Sequence, residues 1–128
     1  MNRYLIDTCV FLWALNGDTD KLGKFIPIIE NSNNIIFVSI ASYWEIIIKK
    51  SLGRIDVREN LAIATQESGF IWLDIKLHHI DYIEKLPNLH KDPFDRLIIS
   101  QAQTEDLRFL TDDKDLMEYV NILNKGSI

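Results

Sequence analysis

The stretch Ile35-Ile-Phe-Val-Ser-Ile-Ala-Ser-Tyr-Trp-Glu-Ile-Ile-Ile-Lys49 joins two segments of different periodicity. Residues 35–38 are an uninterrupted run of β-branched and aromatic side chains, which predicts a strand. From residue 41 to residue 51 the apolar side chains recur at helical spacing, which predicts a helix ended by Gly53. The predicted buried stripe of that helix is Ala41, Trp44, Ile47, Ile48 and Leu52. A strand followed at once by a helix is the repeating unit of α/β folds.

The same alternation extends over the rest of the chain. Further strands are predicted at residues 4–7, 70–73 and 108–111, with a weak last strand at 120–123. Helices are predicted at residues 9–15, 21–31, 57–68, 76–85, 92–105 and 115–119, and Pro27 is expected to start or kink the second of them. Strands that alternate with helices predict a parallel sheet with right-handed crossovers. Ligands of such sheets bind outside the carboxyl ends of the strands.

Four acidic residues stand beside these apolar segments. Asp7 and Asp113 lie at or just after predicted strands, and Glu45 and Asp95 lie in the first turns of predicted helices. All four are therefore expected to face the same edge of the sheet. A buried carboxylate is costly without a cationic partner. Mg²⁺ and Mn²⁺ prefer carboxylate oxygen and water, so the placement favours a divalent-cation site.

Each acid also has an ordinary structural interpretation. Asp95 would stand near the capping-box position if Asp92 is the N-cap of its helix. Glu45 would do the same if Ser42 is the cap, and it can pair with Lys49 four residues later. The other two acids are compatible with simple turn residues. Only their joint placement favours a common site.

Composition limits the class of protein. The chain has 128 residues and 47% hydrophobic residues, which indicates one domain over residues 1–128. Its net charge of -5 by itself argues against a basic nucleic-acid-binding surface, although metals bound at an acidic site reverse the local sign. No signal peptide and no membrane-spanning run is apparent, so a cytoplasmic protein is expected. Cys9 lies in an apolar run and is predicted to be a core residue. A basic group is read as a solvated helix end, with phosphate contact as the alternative: Lys49, Lys50 and Arg54.

Histidines and tryptophans carry weaker signals. The histidines have no trusted ligand spacing, which favours surface or loop roles: His78, His79 and His90. The tryptophans fall in core-like stripes and are predicted to pack: Trp13, Trp44 and Trp72. No glycine-rich phosphate loop is present.

Four pieces of the chain, in order, resemble PIN-domain ribonucleases, and more closely the VapC-type toxins of bacterial toxin–antitoxin pairs. They are Leu5-Ile-Asp-Thr8, Ser39-Ile-Ala-Ser-Tyr-Trp-Glu-Ile-Ile-Ile-Lys49, His90-Lys-Asp-Pro-Phe-Asp-Arg-Leu-Ile-Ile-Ser-Gln-Ala102 and Leu110-Thr-Asp-Asp113. The most specific piece is Asp92-Pro-Phe-Asp-Arg96. Their order and spacing extend over nearly the full length.

The resemblance implies a three-layer α/β sandwich with a central, mostly parallel sheet. It implies an Mg²⁺- or Mn²⁺-dependent endoribonuclease whose metal-binding acids are Asp7, Glu45, Asp95 and Asp113. Thr111 matches the hydroxyl residue beside that cluster, Thr8 and Arg96 match recurring neighbours of the site, and Lys49 is a candidate substrate contact. Asp112 departs from the pattern by adding a carboxylate next to Asp113.

The resemblance also implies partners and leaves rival classes open. A homodimer, an RNA substrate and a cognate antitoxin are expected. One alternative is a catalytically inactive PIN-like module that binds RNA or protein. Another is a receiver-type phosphoacceptor domain, which fits poorly because Asp7 stands alone and because Asn124-Lys125 follows the last predicted strand.

Overall fold

The computed structural model describes residues 2–57 and 60–123. The strands are β1 (Arg3–Ile6), β2 (Ile35–Ser39), β3 (Ile71–Leu73) and β4 (Arg108–Leu110). The helices are α1 (Thr8–Leu15), α2 (Thr19–Leu22), α3 (Ile26–Ile29), α4 (Ile40–Ser51), α5 (Leu61–Glu67), α6 (Leu77–Asp81), α7 (Pro93–Thr104) and α8 (Lys114–Leu123). Short 3₁₀ turns span Gly23–Phe25 and Tyr82–Lys85. Asn124 and Lys125, which bear on the receiver alternative, lie outside the described residues.

The four strands form one parallel sheet in the order β3-β2-β1-β4. Ile6, the last residue of β1, is level with Val38 of β2 and with Leu110 of β4. The carboxyl ends of the central strands therefore meet at one edge, as predicted. The segment 120–123 is different: it belongs to α8, so the predicted fifth strand is wrong.

Side chains alternate between two apolar layers, one on each face of the sheet. Tyr4 and Ile6 of β1 point into one layer with α1 and α5, whereas Leu5 points into the other with α7 and α8. A strand covered on both faces is apolar throughout, which is the pattern that predicts it from sequence. The three-layer α/β sandwich is confirmed. One domain over residues 1–128 stays a prediction.

Helix α4 presents a different face to the interior from the one predicted. Ala41, Ser42, Glu45 and Ile46 are buried, while Trp44, Ile47 and Leu52 of the predicted stripe are exposed. Apolar periodicity alone misplaced the face because two of the buried residues are polar. Hydrogen bonds to the start of α1 satisfy them, which removes most of the cost of burial.

The region between α1 and β2 is broken into short turns. Pro27 lies in the first turn of α3, where its missing N–H costs no helical hydrogen bond. Gly53 follows α4 with φ +71°, a left-handed conformation suited to glycine, as predicted. Within the described ranges, no helix has both the length and the apolar character to cross a membrane.

Candidate active site

Asp7 lies between β1 and α1, next to the end of β4. It is buried and is the N-cap of α1, where its Oδ1 accepts a hydrogen bond from the backbone N–H of Val10 at 2.8 Å. Its Oδ2 accepts one from Thr111 Oγ1 at 2.5 Å. Thr111 follows β4, and its Oγ1 in turn accepts from the backbone N–H of Asp113 at 3.1 Å. The hydrogen bond from Thr111 to Asp7 therefore joins two parts of the site that are 104 positions apart in sequence.

Glu45 is buried on α4 and has both carboxylate oxygens engaged. Oε1 accepts from Thr8 Oγ1 at 2.8 Å, and Oε2 pairs with Lys49 Nζ at 3.0 Å. Because the single hydroxyl hydrogen of Thr8 goes to Glu45, Ser42 must donate to Thr8 across 2.9 Å. The N-cap of α4 is Ser39 and not Ser42, so the capping interpretation of Glu45 is wrong, whereas its pairing with Lys49 is confirmed.

Asp95 occupies the first turn of α7. The helix begins at Pro93 with Asp92 as its N-cap, as predicted, and Asp92 Oδ1 accepts from the backbone N–H of Asp95. The carboxylate of Asp95 is bound through Oδ2 to His90 Nε2 at 2.9 Å. An ionised carboxylate only accepts, so the imidazole is the donor. Sequence patterns gave His90 only a surface or loop role; its position five residues before Asp95 was the available signal.

Two neighbouring carboxylates act on Asp7. Burial, with smaller contributions from the charges of Asp95 and Asp113, raises the pKa of Asp7 from an ordinary value of 3.8 to about 6. The hydrogen bonds from Thr111 and Val10 act in the opposite direction without offsetting the rise. The ionised form of Asp7, which prevails at neutral pH, is thus less stable in the folded protein than in water.

The carboxyl group of Asp95 also has a raised pKa. Burial raises the pKa of Asp95 to about 6, with contributions from the charges of Asp92 and Glu45, while the hydrogen bond from His90 lowers it. The charge of Glu45 therefore acts on Asp95, and the charges of Asp95 and Asp113 act on Asp7. The four predicted acids lie at the carboxyl edge of the sheet, close enough for their charges to interact.

A small cavity of about 170 Å³ opens beside Asp7, lined by Cys9, Trp13, Asp112 and Asp113. Cys9 is exposed there, so its assignment to the core is wrong. Although the residue as a whole is exposed, partial burial of its sulfur and the charge of Asp7 raise the pKa of the thiol. The raised pKa disfavours a reactive thiolate. Asp112 is exposed and lies 3.8 Å from Lys24 Nζ.

Two predicted substrate contacts are already engaged within the protein. Thr8 is buried against Glu45. The guanidinium of Arg96 donates to the carbonyl groups of Ile83, Pro87 and His90. Lys49 differs from both, because 46% of its side chain is exposed while its ammonium group contacts Glu45. Contact of these residues with substrate stays a prediction.

A second titratable cluster lies away from these acids, at the junction of α6 with the end of α7. Within residues 2–57 and 60–123, the only three potential metal-ligating atoms that lie within 4.8 Å of one another belong to His78, His79 and Glu105. Glu105 Oε2 is 3.0 Å from His78 Nε2 and 2.8 Å from His79 Nε2. The Nδ1 of His79 accepts the backbone N–H of Lys76, so in the neutral ring Nε2 carries the proton and cannot bind a metal.

The four acids suit a divalent cation better than this tighter cluster does. No three of these four described acids bring ligand oxygens within 4.8 Å of one another, but Mg²⁺ keeps several waters and needs only one or two direct carboxylates. Burial is the main cause of the raised pKa values of Asp7 and Asp95, and repulsion by neighbouring carboxylates adds to the rise. A cation would oppose the rise in both pKa values, because an opposite charge favours the ionised form.

The fold is shared with known proteins. The PIN domain family matches residues 4–122. A chain in the crystal structure of VapBC2 from Rickettsia felis, bound to a DNA fragment from their promoter, superposes with a TM-score of 0.67. It is 19% identical, and the alignment covers 93% of this chain and 94% of that one, a likeness of fold. No curated protein matches the chain.

Proposed function

The chain belongs to the PIN domain family, and we propose that it is an Mg²⁺- or Mn²⁺-dependent endoribonuclease that acts as the toxin of a toxin–antitoxin pair. The observation that supports this most strongly is the pair Asp7 and Asp95, one buried and one partly buried carboxyl at the carboxyl edge of the sheet, where burial and neighbouring negative charges raise both pKa values to about 6. Structural carboxylates in stable folds are normally paired with cations. Here two carboxyl groups are kept in positions that destabilise their ionised forms, which favours a functional reason for their placement.

The roles of the acids follow from their surroundings. Asp7 and Asp95 would hold the cation most directly, with Glu45 and Asp113 completing the site. A divalent ion bound there supplies positive charge against the phosphodiester and makes water a stronger nucleophile. Thr111 orients the carboxylate of Asp7 through its hydrogen bond.

The substrate would approach from the exposed end of α4. The predicted contacts with RNA are Thr8, Lys49 and Arg96. Of these Lys49 is the best placed for a phosphate, since its ammonium is partly exposed and close to the acids. Without a cation, four carboxylates would repel the backbone of RNA, so a cation held by these acids would favour productive binding of RNA.

The proposed partners are a second copy of the chain and a cognate antitoxin in the cytoplasm. The chain of similar fold comes from a VapBC2 complex, which supports an antitoxin as partner. An antitoxin arginine that reaches the acids would be suited to the site, because a guanidinium pairs with carboxylates through two parallel hydrogen bonds.

Cleavage of RNA by the purified protein tests the proposal. We expect cleavage of a structured RNA with Mg²⁺ or Mn²⁺, no cleavage after exhaustive chelation, and recovery when the ion is restored. Asp7→Asn should lose the activity, whereas Asp112→Asn, an exposed neighbour of the site, should keep most of it. Cleavage that survives chelation would exclude the metal-dependent mechanism. RNA binding without cleavage in the wild type would favour the inactive-module alternative.

Growth tests the toxin role separately. Induced expression of the wild type should arrest growth, and Asp7→Asn should not. Co-expression of a neighbouring small gene should restore growth if its product is the antitoxin. An active nuclease that leaves growth unaffected would keep the enzymatic proposal and overturn the toxin role.

A further inference from the structure

The loop before α7 is held by one hydroxyl from the far end of the chain. Tyr119 of α8 is fully buried, and its Oη accepts from the backbone N–H of His90 at 2.9 Å and of Leu89 at 3.2 Å. The same Oη lies 3.3 Å from the carbonyl oxygen of His90, to which it can donate. Both polar groups of the His90 backbone therefore meet one side-chain atom.

Arg96 completes this arrangement from within α7. Its Nη1 donates to Tyr119 Oη at 2.9 Å and to the carbonyl of His90 at 3.2 Å. The same guanidinium contacts the carbonyl groups of Pro87 and Ile83. A planar guanidinium can serve several carbonyl groups at once, which an ammonium cannot do with the same geometry. Arg96 is thereby directed towards the loop.

The loop in turn presents the ring of His90 to Asp95. The Nε2 to Oδ2 distance is 2.9 Å, and the two side chains are only 22% and 19% exposed. This hydrogen bond from His90 holds one oxygen of the Asp95 carboxylate. The position of this ring, and so the orientation of the carboxylate, depends on where the backbone of His90 is held.

We propose that Tyr119 and Arg96 are positioning residues: they fix the backbone of His90 so that its imidazole holds the Asp95 carboxylate in one orientation for a divalent cation. This inference rests on the proposed function, in which Asp95 contacts the ion. Partners that orient a ligating carboxylate change metal affinity about 10- to 100-fold when removed. Neither Tyr119 nor Arg96 needs to touch the ion or the RNA for that effect.

Calorimetric titration with Mn²⁺ measures the effect without any cleavage assay. We expect His90→Ala and Tyr119→Phe each to weaken Mn²⁺ binding about 10-fold. Arg96→Lys should weaken it in the same direction. The matched control is Thr65→Val, which removes a buried hydroxyl that donates to Leu61 on α5; it should leave the affinity unchanged.

A double-mutant cycle separates positioning from a general loss of stability. If Tyr119 acts through the ring of His90, Tyr119→Phe should have no further effect on Mn²⁺ affinity in the His90→Ala background. An equal effect in both backgrounds would overturn the inference. If Tyr119→Phe does not fold, the same cycle with Arg96→Lys decides the question.

A spectroscopic measurement keeps this test independent of the proposed function. In the metal-free protein, ¹⁵N resonances of the His90 ring should report a hydrogen-bonded Nε2, and Tyr119→Phe should shift them while Thr65→Val does not. An unchanged His90 spectrum in Tyr119→Phe overturns the positioning role. By contrast, unchanged Mn²⁺ affinity in Asp95→Asn would overturn the assignment of Asp95 as a ligand, whatever the spectrum of His90 shows.

Discussion

The two titratable clusters of this protein are built on opposite principles. The cluster of His78, His79 and Glu105 is the more compact, and its donors lower the pKa of Glu105 below its ordinary range. At the sheet edge the acids lie farther apart, yet burial and repulsion raise the pKa of Asp7 and of Asp95 to about 6. The close ligand atoms of His78, His79 and Glu105 form a structural contact whose hydrogen bonds are satisfied. The acids at the sheet edge carry negative charge that is not balanced, and they are the candidate metal site.

The largest expected difference between the clusters is in metal affinity. Asp7→Asn should weaken Mn²⁺ binding by at least about 100-fold, because it removes a charged ligand from a site of few ligands. Glu105→Gln should leave the affinity within about 2-fold of wild type. Calorimetric titration of both variants measures this. A larger loss in Glu105→Gln than in Asp7→Asn would reverse the comparison.

The next largest effect is on stability in the absence of metal. Asp7→Asn should raise the free energy of unfolding at pH 7 in chelator, by up to about 3 kcal/mol, the free-energy equivalent of raising the pKa from 3.8 to about 6. Asparagine keeps the oxygen that caps α1, but its amide nitrogen cannot accept the hydrogen bond from Thr111, so the gain should be smaller than this upper value. Asp18→Asn is the matched control, because Asp18 caps α2 in the same way but belongs to neither cluster. Urea unfolding measures both, and a destabilised Asp7→Asn would contradict the repulsion argument.

The clusters should also differ in the sign of their pH dependence. Asp7 has a raised folded-state pKa, so its contribution to stability is greatest below 3.8 and is lost as pH rises to about 6. Glu105 has a lowered pKa, so its contribution is present above 4.5 and is lost as pH falls. Relative to wild type, metal-free Asp7→Asn should therefore gain stability as pH rises from about 4 to about 6.

The smallest effect is expected at the compact cluster itself. Glu105→Gln should destabilise the protein by about 1 kcal/mol, because it weakens two hydrogen bonds that are partly exposed to water. The difference from wild type should diminish as pH falls through the folded-state pKa of Glu105. A pH-independent difference in urea unfolding would show that the charge of Glu105 does not contribute.

Sequence patterns predicted the sheet better than the helices around it. The four confirmed strands are apolar on both faces, so composition alone identifies them. The segment 120–123 was misassigned because its four residues were taken alone; with Leu116 and Tyr119 buried ahead of it, Val120 continues a helical stripe. The face of α4 was misassigned because Ser42 and Glu45 are buried by partners from α1 that lie far away in sequence.

The meeting of the four acids was predictable in outline, because parallel strands bring their carboxyl ends to one edge. What surrounds them was not. The bond from Thr111 to Asp7, and the bonds from Tyr119 to the His90 loop, join residues far apart in the chain. Such contacts leave no periodicity, and a single tyrosine in an apolar stripe is indistinguishable from a packing residue until the fold is known.

The capping role of Asp7 has a practical consequence for anyone who wants an inactive form of this protein. Its carboxylate begins the first helix and ties the first strand to the segment after the last one. An alanine at this position would remove the acid and the cap together, at a cost of about 1 kcal/mol from the cap alone. A silent phenotype of such a variant would then have two explanations, so the isosteric amide is the appropriate choice.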